Sequence, residues 1–144
     1  MVVVDSCGWL EWFIDGQLAA KYQKYLENKN ELLVPAIVLY EVYNVLKRQV
    51  GEEKALLAFG HMMDSLVIPL DDNLALLAAD VSLRHNLAMA DAIVYAVALA
   101  NNCKLITSDM DLNALPQVTF ISKSSKLSKN VSTSKGVAGG SDCL

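Results

Sequence analysis

The chain begins with Met1-Val2-Val3-Val4-Asp5-Ser6, a run of β-branched residues that ends in an acid. β-Branched side chains suit a strand that is buried on both faces, as the strands of parallel sheets are. A carboxylate has no packing role in such a core. Because ligands bind at the carboxyl ends of parallel strands, Asp5 is a candidate site residue. The alternative is that Asp5 is the N-cap of a helix that begins near Cys7.

Strand-like and helix-like segments alternate along the rest of the sequence. Short apolar runs predict strands, and apolar residues at the helical spacing predict helices. The predicted strands are residues 2–4, 32–34, 66–70, 104–107 and 117–121. The predicted helices are residues 7–14, 17–28, 36–50, 52–64, 71–85 and 88–101. This order is typical of an α/β fold, so we expect a parallel sheet of about five strands with helices on both faces.

Composition narrows the class of protein. Of the 144 residues, 53% are hydrophobic, yet no apolar run approaches the roughly 18 residues that a membrane span needs. The three cysteines are an odd number without CxxC spacing, so neither a disulfide framework nor a zinc site is indicated. We therefore expect a reduced, cytoplasmic protein with no membrane association.

The net charge of −4 is unevenly distributed. Residues 1–122 carry eight basic and fifteen acidic side chains, a net charge of −7, and residues 123–144 carry a net charge of +3. The second segment is rich in Ser, Lys and Gly, which predicts one folded domain over residues 1–122 and a disordered tail over residues 123–144. An acidic domain lacks the basic face of a general nucleic-acid binder, unless bound cations neutralise a cluster of its acids.

Three further acids are candidate site residues because of where they lie in the predicted elements. Glu41 lies on the apolar stripe of its helix, and Asp91 interrupts a helix that is otherwise apolar. Asp109 follows the strand at residues 104–107, which is the position that Asp5 has after the first strand. Two acids are thus expected at strand ends and two on inward helix faces.

Each acid also has a separate structural explanation. Asp91 could be favoured by the dipole of its helix, Glu41 could pair with Lys47 or Arg48, and Asp109 could shape a turn with Asp111. Four such coincidences are less favoured than one shared site. A buried carboxylate without a partner costs several kcal/mol, and a hard divalent cation such as Mg²⁺ or Mn²⁺ removes that cost through oxygen ligands.

With these residues in view, the chain resembles PIN domains, in particular the VapC toxins of VapBC toxin–antitoxin pairs. The resemblance covers residues 1 to about 121, in the family's order and spacing. It is carried by four motifs: residues 2–6 (VVVDS), 40–46 (YEVYNVL), 87–92 (LAMADA) and 105–112 (LITSDMDL).

The resemblance implies a PIN-like three-layer α/β/α sandwich and a Mg²⁺- or Mn²⁺-dependent endoribonuclease. It implies that Asp5, Glu41, Asp91 and Asp109 are the catalytic residues and metal ligands. Ser6 and Asn44 resemble positions that support these acids through hydrogen bonds. Asp111 matches an acid that often follows the fourth one and that either contacts metal or orders the loop.

The same resemblance implies three partners: an RNA substrate, a protein antitoxin and a second copy of the chain. Independently, Trp9, Trp12 and Phe13 make the first helix apolar nearly all round, so we expect a homodimer with some apolar surface left for a partner. The alternative is that this helix closes the core of a monomer.

Other functions remain open on the sequence. One is a PIN-type RNA-processing nuclease without an antitoxin, and another is a non-catalytic PIN-like scaffold that binds RNA or protein. The presence of all four acids counts against the scaffold. A receiver or phosphatase-like domain is less favoured, because no acid pair directly follows the first strand.

Overall fold

The computed structural model describes residues 1–123, so the predicted tail beyond Lys123 lies outside the described residues. Five strands form one parallel sheet, and every predicted strand is present. The strands are β1 (Val2–Val4), β2 (Leu32–Pro35), β3 (Leu66–Ile68), β4 (Lys104–Thr107) and β5 (Val118–Phe120). Their order across the sheet is β3-β2-β1-β4-β5. The expected five-stranded parallel sheet is confirmed.

Helices connect the strands, and six α-helices are described. They are α1 (Ser6–Phe13), α2 (Ala19–Leu26), α3 (Ala36–Val50), α4 (Glu52–Met62), α5 (Asp72–His85) and α6 (Met89–Ala100). Two short 3₁₀ helices, Lys29–Glu31 and Met110–Leu112, lie in loops. The α/β class that the sequence predicts is therefore confirmed.

The strand order reverses direction at β1. The chain runs outward from β1 to β2 and β3, then returns to β4 on the other side of β1. Crossovers between parallel strands are right-handed in nearly all proteins, so this reversal puts α1–α4 on one face and α5 and α6 on the other. Such a reversal leaves a crevice at the carboxyl ends of the two central strands, β1 and β4.

The core lies around these two central strands. Val3, Val4, Leu105 and Ile106 are each no more than 1% exposed, and α6 is buried from Ala92 to Ala98. Strands that are buried on both faces explain the continuous apolar runs in the sequence. Among the described helices, none is both long and apolar enough to cross a membrane.

The second helix is shorter than predicted. Periodicity predicts a helix over residues 17–28, whereas α2 spans Ala19–Leu26. Its start is set by a carboxylate from the preceding helix, because Glu11 Oε1 accepts a hydrogen bond of 2.7 Å from the backbone N–H of Leu18. A periodic pattern of apolar residues does not predict such a contact between a side chain and the backbone of another segment.

Gly8 allows α1 and α2 to approach each other closely. It lies inside α1, and a Cβ atom there would come within 2.4 Å of Tyr22 Cε1 and 2.6 Å of Val4 Cγ1. Tyr22 and Val4 are both fully buried, so neither side chain can move aside without disturbing the core. The fold therefore requires glycine at this position.

We expect Gly8→Ala to lower the free energy of unfolding by about 1–3 kcal/mol, the usual cost of overpacking a core. The matched control is Gly60→Ala in α4, because a Cβ atom at Gly60 meets nothing within 4 Å. That control should gain about 0.5–1 kcal/mol from the better helix propensity of alanine. Urea unfolding of both variants checks this, and stabilisation of both would contradict the close-packing argument.

Candidate metal centre

Three carboxylates converge at the carboxyl edge of the central strands. Asp5 follows β1, Asp109 follows β4 by two residues, and Asp91 lies in the first turn of α6. One oxygen atom from each of the three lies within 4.8 Å of the others. The sheet order therefore brings together residues that are far apart in sequence. The positions of Asp5 and Asp109 after two parallel strands predict this proximity.

Asp5 is both a helix cap and a member of this cluster. Its Oδ1 accepts a hydrogen bond of 2.8 Å from the backbone N–H of Ser6, the first residue of α1. Its Oδ2 accepts a 2.8 Å hydrogen bond from the hydroxyl of Thr107. The two interpretations of Asp5 that the sequence leaves open are thus compatible, because Asp5 caps α1 and also lies close to Asp91 and Asp109.

Thr107 links the two strand-end acids. While its hydroxyl donates to Asp5, its Oγ1 accepts a 3.0 Å hydrogen bond from the backbone N–H of Asp109. Asp109 Oδ1 in turn accepts a 2.9 Å hydrogen bond from the backbone N–H of Asp111. Asp109 therefore shapes the turn with Asp111, as its structural explanation predicts, and also belongs to the cluster.

Glu41 extends into the same region from α3. Its side chain is 4% exposed, and its carboxylate is hydrogen-bonded to the side chain of Ser6. The charges of Asp5 and Asp91 both act on it, which indicates that it borders the cluster. The structure thus places Glu41 beside the three converging acids, and Ser6 contacts both Asp5 and Glu41.

The basic side chains of α3 contact residues other than Glu41. Lys47 lies 3.5 Å from the carboxylate of Glu52, and Arg48 donates a 3.2 Å hydrogen bond to Asn44 Oδ1. The explanation that pairs Glu41 with Lys47 or Arg48 is therefore wrong, because each has another partner. Asn44, expected to support the site, is exposed and accepts from Arg48. Asp111 is also exposed, although its charge acts on Asp91.

Burial and mutual repulsion disfavour the ionised forms of these acids. Burial, followed by the charges of neighbouring groups, raises the pKa of Glu41 to about 7 and that of Asp91 to about 7. Burial raises the pKa of Asp5 well above its usual value, although hydrogen bonds from Thr107 and Ser6 oppose the change. Repulsion between these acids therefore favours the binding of a positively charged group at the cluster.

A divalent cation fits this donor set. Hard cations such as Mg²⁺ and Mn²⁺ prefer carboxylate oxygens, and a few converging carboxylates are their usual protein ligands. The three oxygens that lie within 4.8 Å of one another match this preference, and Glu41 is a fourth carboxylate beside them. A bound cation would offset both the burial of the acids and their repulsion.

Two supporting residues were missed by the sequence analysis. The sequence pattern places Thr107 only in a strand and Cys7 only at the start of a helix. Yet Cys7 Sγ lies 3.8 Å from Asp5 Oδ2 and 3.7 Å from Thr107 Oγ1. A signal was available for Thr107, because a hydroxyl at the end of an otherwise apolar buried strand needs a polar partner.

We expect the metal-free protein to lose stability as the pH rises from about 4 to about 7. In this window the folded state retains protons on Glu41 and Asp91 that the unfolded chain, with carboxyl pKa values near 4, has released. The folded state therefore binds more protons, and the free energy of unfolding falls with pH. Urea unfolding in EDTA at a series of pH values checks this.

Glu41→Gln isolates the contribution of the cluster. The variant should show a shallower decline, whereas the exposed Glu53→Gln should follow the wild type. His61, whose pKa is lowered chiefly by burial, acts in the opposite direction below pH 6.5 but is common to all three proteins. An identical decline in wild type and Glu41→Gln would show that Glu41 does not carry the repulsion described.

Solved structures of a toxin, a toxin–antitoxin complex and a VapBC complex share this fold. A toxin–antitoxin complex from Klebsiella pneumoniae matches with a TM-score of 0.68 and 21% identity, over 83% of this chain and 96% of that one. The sarcin–ricin loop cleaving toxin VapC20 of Mycobacterium tuberculosis matches with a TM-score of 0.62 and 19% identity, over 71% and 84%. DNA-bound VapBC from Salmonella typhimurium matches with a TM-score of 0.67 and 12% identity, over 84% and 96%.

At these identities the structures establish a shared fold. A search of curated proteins gives no sequence match. The family model described as PIN domain, however, matches residues 2–118, which is most of the chain and includes all four acids. The chain therefore belongs to the PIN domain family.

Proposed function

We propose that the protein is a Mg²⁺- or Mn²⁺-dependent endoribonuclease that acts in the cytoplasm as the toxin of a VapBC-type pair. The observation that carries the proposal is the convergence of Asp5, Asp91 and Asp109 at the carboxyl edge of the sheet, with buried Glu41 beside them. Family membership and the fold shared with VapC toxins support it.

In this proposal the four acids hold the cation and thereby organise the reaction. Thr107 donates a hydrogen bond to the Asp5 carboxylate and accepts one from the backbone N–H of Asp109, and the Ser6 side chain contacts Glu41. When bound, the cation supplies charge that polarises the scissile phosphate and lowers the pKa of the attacking water. The acids contribute rigid oxygen ligands, and their burial keeps the local dielectric constant low, so each interaction with the phosphate is stronger.

The charge of the domain makes RNA binding depend on this cation. Residues 1–122 carry a net charge of −7, which repels a polyanion. A divalent cation in the cluster removes the repulsion at the point where the phosphate must approach. This dependence distinguishes the proposed enzyme from a scaffold that binds RNA through a basic face.

We also propose a protein antitoxin as the partner, since the matched structures include a toxin–antitoxin complex and a VapBC complex. An apolar groove of about 770 Å³ lies between the end of α1 and the helices α3 and α4, and it offers a docking surface. Its walls include Trp12, Phe13, Leu46, Leu57 and His61. Pairing of two chains as a homodimer stays a prediction.

Two aromatic residues of α1, Trp12 and Phe13, line this groove. Trp9 is 1% exposed and stacks on Phe13 with 5.8 Å between ring centroids, whereas Trp12 and Phe13 are only half-buried. The helix thus closes part of the core and also leaves apolar surface for a partner. A neighbouring small gene whose product suppresses toxicity on co-expression would favour a toxin over an RNA-processing nuclease.

We expect Asp91→Asn to reduce metal-dependent RNA cleavage by at least about 100-fold, because it removes a proposed cation ligand. The free energy of unfolding at pH 8 without metal should stay equal or rise, since one charge leaves a repulsive cluster. Cleavage of a single-stranded RNA with Mn²⁺, together with urea unfolding, checks both parts.

The matched control is Asp80→Asn, which removes an exposed carboxylate from α5. This control should cleave RNA at the wild-type rate. If Asp91→Asn unfolds the protein while the remaining folded fraction still cleaves RNA, Asp91 has a structural role and the proposed site is wrong.

A further inference from the structure

A buried tyrosine reaches the acid cluster from α2. Tyr22 is fully buried, and its hydroxyl donates a 2.9 Å hydrogen bond to Ser108 Oγ. Ser108 lies between Thr107 and Asp109, in the turn that carries the fourth acid. A hydroxyl buried at this depth costs free energy unless it is hydrogen-bonded, so its contact with this turn contributes to holding both partners in position.

The hydrogen bond from Tyr22 starts a chain of donors that ends on an acid. Ser108 Oγ donates to Cys7 Sγ at 3.5 Å, and Cys7 Sγ donates to Asp5 Oδ2 at 3.8 Å. The chain can run in this direction because an ionised carboxylate only accepts hydrogen bonds. It thus connects one residue of α2 to both strand-end acids, to Asp5 through Cys7 and to Asp109 through the backbone next to Ser108.

The position of the Tyr22 ring requires a glycine in α1, which lowers the stability of that helix. Its ring occupies the space beside Gly8, where any Cβ atom would lie within 2.4 Å of Cε1. Glycine inside a helix costs about 0.5–1 kcal/mol relative to alanine. Glycine here lets the ring lie against α1 and carries the hydroxyl to Ser108.

We propose that Tyr22 is a positioning residue of the cation site, and that its hydroxyl orients Asp5 and Asp109 through Ser108 and Cys7. This inference rests on the proposed function, because it takes the acid cluster to bind a divalent cation. Groups that hydrogen-bond to metal ligands or to their supports set the orientation of those ligands, and their loss weakens metal binding. Thr107 contacts Asp5 directly, whereas Tyr22 acts on Asp5 through Ser108 and Cys7.

The test compares the Mn²⁺ affinity of two tyrosine-to-phenylalanine variants. Tyr22→Phe removes the hydroxyl and keeps the ring that fills the space beside Gly8. The matched control is Tyr95→Phe, since Tyr95 is 1% exposed and its hydroxyl donates a 3.1 Å hydrogen bond to the backbone carbonyl of Pro116. Each variant loses the hydrogen bonds of one tyrosine hydroxyl, which are to Ser108 and Cys7 for Tyr22 and to Pro116 for Tyr95, so both should lose thermal stability when metal-free.

Titration calorimetry with Mn²⁺ then separates positioning from stability. We expect Tyr22→Phe to bind Mn²⁺ about 10-fold more weakly than the wild type, and Tyr95→Phe to match the wild type. Ser108→Ala should weaken binding by a similar factor, and the double variant should be no weaker than the single ones. Ser108→Ala also serves as the test if Tyr22→Phe does not fold.

Two outcomes overturn the inference. Equal Mn²⁺ affinity in wild type, Tyr22→Phe and Ser108→Ala would show that Tyr22 only packs, even if RNA cleavage by the wild type supports the proposed function. A wild type that binds no Mn²⁺ would overturn the inference and the cation site together. Affinity is measured without RNA. Equal affinities would therefore leave the nuclease proposal intact, whereas a wild type that binds no Mn²⁺ would contradict it.

Discussion

The crowding of carboxylates at one buried edge of the sheet is the constraint on which the rest of the site depends. Ionised acids at this distance repel one another, and burial removes the water that would screen them. Burial and repulsion raise the pKa values of Asp5, Glu41 and Asp91, which is the physical signature of this crowding. The apolar core around β1, β4 and α6 supplies the stability that offsets it.

Hydrogen bonds from the surrounding chain help to orient the acids. Ser6 contacts Asp5 and Glu41, and Thr107 contacts Asp5 and the backbone of Asp109. Uncharged donors of this kind orient a carboxylate and leave its charge available for a cation, whereas a salt bridge to lysine or arginine would compete for it. The layer of hydroxyl, thiol and backbone donors is therefore suited to a metal site.

Much of the fold and the identity of the acids could be predicted from the sequence, because both have local signals. Three valines before Asp5 indicate a buried strand with an acid at its end, and helical spacing puts Glu41 and Asp91 on apolar faces. What could not be predicted depends on contacts across the fold. Tyr22 meets Ser108 86 residues further along the chain, and no periodic pattern encodes that contact. Asn44 comes three residues after Glu41, which puts it about 60° round the helix from Glu41 and on the exposed side of α3.

We propose above all that the acids at this edge form a binding site for a divalent cation. Anomalous diffraction at the manganese absorption edge, from crystals of the protein soaked in MnCl₂, tests it most directly. We predict a strong anomalous peak between the carboxylates of Asp5, Asp91 and Asp109, within coordination distance of their oxygens. Saturating Mn²⁺ with no peak there, or a peak only at another site, would contradict it.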